Sequence, residues 1–300
     1  MDEKVADLLK NFQLVSMQSA VTDQVVKKLA HRLGTSAQAI RMVTDPKTQN
    51  YRVYVQRQGR KKRLIEAPKV ILKRIQRSLL DTTFSHEHPS TWSHGFCLGR
   101  SIFSHAVLHT RKDVVVTMDI KDFFPSVDSL KIHPVLRSFS PDESELQLMM
   151  QLVTRNGRLP QGAPTSPHLA NLVFSPIDEA IARSVGTRWI YSRYADDLAF
   201  SGHDPVDMLI DTVSEIVLRN GFCIATKKTR VMRQHHRQKV TGLVVNRGLN
   251  LSREKRKNWR ATLHRINTQG MEAAEPHCPF KLNGFAAFYK GLAKFKEAHT

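Results

Sequence analysis

Cysteine is scarce in this chain of 300 residues: Cys97, Cys223 and Cys278 stand far apart with no paired spacing. That excludes a disulfide framework. Histidine is plentiful, but neither His86-Glu87-His88 nor His235-His236 comes with the Cys/His spacing of a structural zinc site. No apolar run reaches the length of a membrane span, and Met1-Asp2-Glu3 opens neither a signal peptide nor a myristoylation site. The chain is therefore expected in the cytoplasm, with no membrane partner. Repeats and low-complexity tracts are missing too, leaving an ordinary globular composition, 41% hydrophobic and 24% charged. Acid is the last shortage: 27 Asp+Glu face 46 Lys+Arg, a formal charge of +19. A polyanionic partner, nucleic acid first, is the simplest reason to keep such self-repulsion. An anionic membrane surface fits less well, because the cations are spread over many segments and form no single amphipathic helix.

What is present centres on Tyr194-Ala195-Asp196-Asp197. Trp189-Ile190-Tyr191 before it and Leu198-Ala199-Phe200 after it predict two strands joined at a tip that carries adjacent carboxylates. Such acids repel, so a cation or a proton must compensate; the alternative is a solvated turn. A further buried-type strand, Val114 to Met118, ends at Asp119. Asp119, Asp196 and Asp197 at neighbouring strand ends would form a two-metal site, with two Mg²⁺ about 3.5–4 Å apart flanking an in-line displacement at phosphorus.

The remaining pattern is coarser. Val25, Val26, Leu29 and Leu33 predict a helix closed by Gly34, and Ser36 starts another, a pair that is either a packing unit or a helix-turn-helix. Tyr51, Val53 and Val55, a Gln58-Gly59 turn and Leu64-Ile65 predict a hairpin tipped by Arg57, Arg60, Lys61, Lys62 and Arg63. Helices are expected with Ile71, Ile75 and Leu79 inward, over 141–153, after Pro167 with Leu169, Leu172, Val173 and Ile181 inward, and over 206–218. Phe222 to Ile224 and Val240 to Val245 read as strands, and two basic helices over 252–268 and 280–297 close the chain.

Asp119-Ile120-Lys121-Asp122-Phe123-Phe124, Leu159-Pro160-Gln161-Gly162-Ala163-Pro164-Thr165-Ser166-Pro167, Tyr194-Ala195-Asp196-Asp197, and Lys228-Thr229 after Gly221-Phe222 occur in the order and spacing of the reverse-transcriptase palm. The chain resembles the bacterial retron reverse transcriptases over about residues 20–300. Val240-Thr241-Gly242 matches a retron element, and Ser104 to His109 resembles the Asn-Ala-x-x-His element, with His105 where Asn is usual.

The resemblance implies an α+β right-hand polymerase with an antiparallel palm sheet. Its parts would be a helical N-terminal extension (1–48), fingers (49–113), palm (114–246, with a fingers insertion at about 130–165) and thumb (247–300). It implies two Mg²⁺ held by Asp119, Asp196, Asp197 and the Ile120 carbonyl, with Asp122 only starting the next turn. Phe124 would be the gate under the sugar of the incoming nucleotide, or else an ordinary core aromatic. Gln161 and Gly162 would face template and nucleotide, and Arg63 would meet the triphosphate, either alone or with Arg60, Lys61 or Lys62. Lys228 would protonate pyrophosphate or steady the nucleotide; otherwise it is a solvated lysine. His105, His109, Val240, Thr241 and Gly242 would serve recognition of a structured RNA, as would the thumb cations Arg253, Arg256, Lys257 and Arg260, with Lys281 and Lys290 beyond them. The implied activity is RNA-directed DNA synthesis from deoxynucleoside triphosphates on a dedicated non-coding RNA, primed from a 2′-hydroxyl, in anti-phage defence with an effector protein. The rivals are a group II intron-like reverse transcriptase, which would carry a maturase region after the thumb, and a non-catalytic RNA-binding protein on the same scaffold.

Overall fold

The computed structural model describes residues 21–58, 61–203, 205–270 and 282–297; Gly59, Arg60, Cys278 and Lys281 lie outside them. In chain order the elements are α1 (Asp23–Arg32), α2 (Ala37–Thr44), β1 (Tyr51–Gln58), β2 (Lys61–Pro68), α3 (Val70–Thr82), α4 (Ile102–Val107) and β3 (Val114–Asp119). Then come α5 (Ser129–Phe139), α6 (Glu143–Val153), α7 (Ser166–Val185), β4 (Trp189–Tyr194), β5 (Asp197–Gly202) and α8 (Val206–Arg219). The last are β6 (Arg230–Arg233), β7 (Lys239–Val240), β8 (Leu243–Val244), α9 (Arg253–Gln269) and α10 (Leu282–Glu297). The named strands all pair antiparallel, which with the helices gives the expected α+β class. No helix among the described residues is long and apolar enough to cross a membrane.

Two compact units divide the chain, the first formed by residues 1–90 and 122–177 and the second by 91–121 and 178–300. In the first, Thr22 and Ser36 cap α1 and α2 by accepting from the Val25 and Ala39 amides. Val26, Leu29, Ile40 and Val43 turn inward from these helices. Glu145 on α6 is buried and pairs with Arg32, and Gln76 on α3 donates to the Leu152 carbonyl at 2.8 Å. The inward face of α3 is Leu72, Ile75, Gln76 and Leu79, a single i, i+3, i+4, i+7 stripe. Ile71, expected inside, falls off that stripe and is exposed. On the part of α7 in this unit the buried apolar positions are Leu169, Ala170, Phe174 and Ile177, and Leu172 and Val173 are only half-buried; Ile181, buried too, belongs to the second unit.

The second unit is built on a four-stranded sheet in the order β4-β5-β3-β6. Val115, Val116 and Met118 of β3 and Leu198, Ala199 and Phe200 of β5 are wholly buried, each worth about 1.5–3 kcal/mol for the larger side chains. β6 was not anticipated, since Arg230-Val231-Met232-Arg233 has the composition of a basic loop; its pairing with β3 imposes the strand. Two expected strands are different in form. Phe222 to Ile224 makes only an isolated bridge from Ile224 to Ile120 before a tight turn at Thr226–Lys228. Val240 to Val245 is a small hairpin, β7 and β8, because Thr241 and Gly242 both take positive φ (43° and 82°) and reverse the chain. Val240, Leu243 and Leu251 join Ala106 and Leu292 in one apolar cluster, against which Phe103, Phe288 and Phe295 pack.

Candidate active site

The three aspartates meet in the second unit. β3 and β5 pair so that Asp119 lies directly across from Asp197, and the Ile120 amide donates to the Asp196 carbonyl at 2.9 Å. On the other side the Asp119 carbonyl accepts from the Ala225 amide at 2.7 Å, and the Lys121 amide donates to the Cys223 carbonyl. The end of β3 is therefore fixed from both flanks by backbone bonds that need no particular side chain. The β4–β5 connection is the two-residue loop Ala195-Asp196, closed by the Tyr194–Asp197 pair. Ala195 has φ +56, and Asp196 is not in the positive-φ region; a left-handed first position is what a tight II′ hairpin demands. Asp119 and Asp196 are half-buried and Asp197 is exposed.

Lys228, from the turn after Ile224, donates from Nζ to Asp119 Oδ1 at 2.5 Å. That hydrogen bond, with the attraction of Asp119, Asp196 and Asp197, raises the ammonium's pKa against its modest desolvation. Hard carboxylate oxygens on adjacent strand ends are the donor type a divalent cation such as Mg²⁺ takes. Among the described residues no group of three His, Cys, Asp or Glu side chains is gathered closely enough to cage an ion.

Behind the tip lies a group the sequence did not announce. Arg193 of β4 and Asp178 of α7 are both wholly buried and bond bidentately, Nε to Oδ1 at 2.8 Å and Nη2 to Oδ2 at 2.7 Å. Tyr191 donates its hydroxyl to the same Oδ1 at 2.6 Å. Burial and the Asp178 charge drive the Tyr191 pKa far up, so the phenol stays protonated. An arginine among strand residues reads as a solvent-facing cation, and nothing in the local pattern marks it otherwise.

His105 and His109, expected to serve recognition of a structured RNA, are also wholly buried. His109 bridges β4 and β5 through hydrogen bonds at 2.8 Å to the Ser192 and Ser201 hydroxyls. The His105 ring lies among His94, His109 and Tyr194, at centroid distances of 5.6, 5.7 and 5.9 Å. Burial first, then neighbouring positive charge, lowers the His109 pKa to about 3 and the His94 pKa to about 4. Burial, then the neighbouring imidazoles, holds His105 well below its usual value. Val240 is a core residue, while Thr241 and Gly242 are half-exposed at their turn. Arg253, Arg256, Lys257 and Arg260 are exposed along α9, opposite the buried Trp259 and Thr262.

The other predicted residues belong to the first unit. Arg63 is exposed on β2, opposite Gln56, with Lys62 opposite Arg57. The Gln161 carbonyl accepts from the Glu66 amide at 2.9 Å, which docks the Pro160–Gly162 turn on the same strand. Gly162 has φ +138, and a Cβ there would stand 3.0 Å from the Glu66 carbonyl oxygen, so the turn requires glycine. Phe124 is half-buried, 5.6 Å from the Phe123 ring, which in turn meets Phe174 edge-on at 5.7 Å. Asp122 has φ +47, and its carbonyl accepts from Ser126, as the start of a turn.

Residues 55–245 match the family described as reverse transcriptase (RNA-dependent DNA polymerase). The Retron Mx65 reverse transcriptase of Myxococcus xanthus is 37% identical over 254 residues, 77% of this chain and 58% of that one. The Retron Mx162 reverse transcriptase of the same organism is 35% identical, over 76% of this chain and 54% of that one. The chain thus spans little more than half the length of these two relatives. The Retron Ec86 reverse transcriptase of Escherichia coli is 32% identical over 270 residues, 88% of this chain and 84% of that one. Among solved structures, apo telomerase from Candida tropicalis, truncated from its C-terminal domain, superposes with a TM-score of 0.46 at 10% identity, over 69% of this chain and 56% of that one. By the family match over most of its length and by its likeness to the Ec86 protein, the chain belongs to the reverse transcriptases and, among them, to those of bacterial retrons.

Proposed function

We propose that the chain is an RNA-directed DNA polymerase that copies a cognate structured RNA into single-stranded DNA. The observation that carries this reading is the pairing of Asp119 with Asp197, with Asp196 bound to the next peptide. Binding alone has no use for three acids set on neighbouring strand ends in a chain of charge +19.

Reverse transcriptases work with divalent metal ions. Here Asp119, Asp196, Asp197 and the Ile120 carbonyl are the groups to hold two Mg²⁺. When bound, the ions supply Lewis-acid stabilisation of the attacking and leaving oxygens of phosphoryl transfer. Lys228 holds a proton at Nζ beside these acids, available to a departing pyrophosphate. In the first unit, Arg63 suits bidentate phosphate binding, Gln161 and Gly162 are the candidates to face template and nucleotide, and Phe124 is the candidate for excluding a 2′-hydroxyl.

The fingers, palm and thumb boundaries at about 49, 114 and 247 belong to this proposal. So do priming from a 2′-hydroxyl, a branched RNA–DNA product, a cytoplasmic setting and a role in defence with an effector protein. RNA would lie along the exposed cations of α9. Arg111, Arg247 and Lys296, which line a cavity of about 460 Å³ in the second unit, extend the basic surface.

Primer extension on a structured RNA, comparing wild type with Asp197→Ala, tests the reading. Losing one ligand should remove several kcal/mol of charge stabilisation, about 10³-fold in rate, while RNA affinity stays within a factor of two or so. Equal extension by both proteins, or none by the wild type, overturns it.

A further inference from the structure

Ala195 carries its left-handed backbone without being glycine, a conformation that costs about 1–2 kcal/mol and persists only where the surroundings impose it. The surroundings here grip the Ala195 peptide at both ends. Its carbonyl accepts from Arg193 Nη1 at 3.0 Å. Its nitrogen lies where Gly95 has no side chain: a Cβ at Gly95 would stand 2.5 Å from the Ala195 nitrogen and 3.1 Å from the Tyr194 carbonyl carbon.

Gly95 ends a strap, Trp92 to Gly95, that runs along β4. The Arg193 amide donates to the Trp92 carbonyl at 2.8 Å, and the His94 amide to the Arg193 carbonyl at 2.7 Å. Arg100 anchors the strap by donating from Nη1 to the Thr91 and Ser93 carbonyls, each at 2.5 Å. Arg193 is itself immobilised by Asp178 and, through it, by Tyr191.

Stability alone is a poor reason for a wholly buried ion pair, because apolar replacements are often as stable. Geometry supplies a better one, since the third arm of the guanidinium holds the peptide next to the acids. We propose that Arg193, fixed by Asp178, and the strap ending at Gly95 are positioning elements that hold the Ala195 turn in its left-handed form, so that Asp196 and Asp197 meet a divalent cation in one arrangement. This deepens the polymerase reading and rests on it.

Two variants of the full chain test the proposal. Arg193→Lys keeps the charge but cannot reproduce the fork; Gly95→Ala leaves the ion pair whole and presses on the turn. Free Mn²⁺, titrated and followed by electron paramagnetic resonance, reads ion binding without any nucleotide incorporation. Primer extension across Mg²⁺ concentration, and the KM for nucleotide at saturating Mg²⁺, read the reaction. Both variants should bind Mn²⁺ at least about tenfold more weakly and need correspondingly more Mg²⁺ for half-maximal extension, the scale of outer-shell losses at metal sites. The nucleotide KM should be unchanged. Should Arg193→Lys lose its melting transition, Gly95→Ala decides. Folded variants that bind Mn²⁺ as the wild type does would reduce Arg193 to an ordinary core ion pair. A wild type that extends no primer would sink the polymerase reading, while the Mn²⁺ comparison would still decide this one.

Discussion

The molecule has two antiparallel hairpins of similar length and opposite character. β4–β5 is clamped into a four-stranded sheet, most of its residues are buried, and its tip presents acids. β1–β2 is a two-stranded sheet whose Val53, Tyr54, Val55 and Leu64 are all exposed and whose far end is rich in cations. A two-stranded ribbon with so much of its apolar surface open is marginal by itself, whereas β4 and β5 are held by the rest of their sheet on one side and by the Trp92–Gly95 strap on the other. The contrast separates two demands on a phosphate-handling protein. Carboxylates must be placed to a fraction of an ångström before an ion can use them, and cations meeting a flexible polyanion need only reach it.

Breaking the rigid hairpin from behind should have the largest effect. Arg193→Ala leaves the Asp178 carboxylate buried without its partner, and chemical denaturation should show a loss of about 3–5 kcal/mol. A loss below about 1 kcal/mol would mean that the clamp is not what holds β4 in place.

Acid should act on the same side of the comparison, more gradually. His94 and His109 are neutral in the folded chain, with pKa values lowered by burial to about 4 and about 3, whereas an unfolded histidine titrates near 6.5. Protons therefore favour the unfolded chain. The stability is whole above about pH 6.5 and falls as the pH drops toward 4, by up to about 1.4 kcal/mol per pH unit for each histidine. His109→Gln should flatten part of that slope when denaturation midpoints are followed from pH 7.5 to 4.5; an unaltered slope would show that His109 titrates normally.

The smallest effect belongs to the open hairpin. Val53→Thr and Leu64→Thr remove exposed apolar surface while keeping strand propensity, so each should change stability by no more than about 0.5 kcal/mol. A cost several times larger would show that this ribbon is packed after all, and the contrast would fail.

What could be read in advance follows the same division. The acid hairpin was legible because aromatic and branched residues flank a tight polar break, and Asp119 because it follows the strand-like Val114-Val115-Val116-Thr117-Met118. The clamp was not, since a buried arginine and a solvated one look alike until the carboxylate of the preceding helix is seen to lie beside it. Gly95 was equally silent: its requirement comes from a backbone far along the chain. The Thr241-Gly242 reversal hid inside an apolar run, where hydrophobicity masks a turn set by two positive φ angles. The burial of His105 and His109 was not legible either, because a motif marks residues by resemblance and says nothing about depth.

Lys228 has a consequence beyond chemistry. With an ammonium already seated on Asp119, the protein brings its own counter-ion to one of its two half-buried acids. Folding of the chain is then independent of any divalent ion it comes to hold, so a chelator should leave its melting transition where it is.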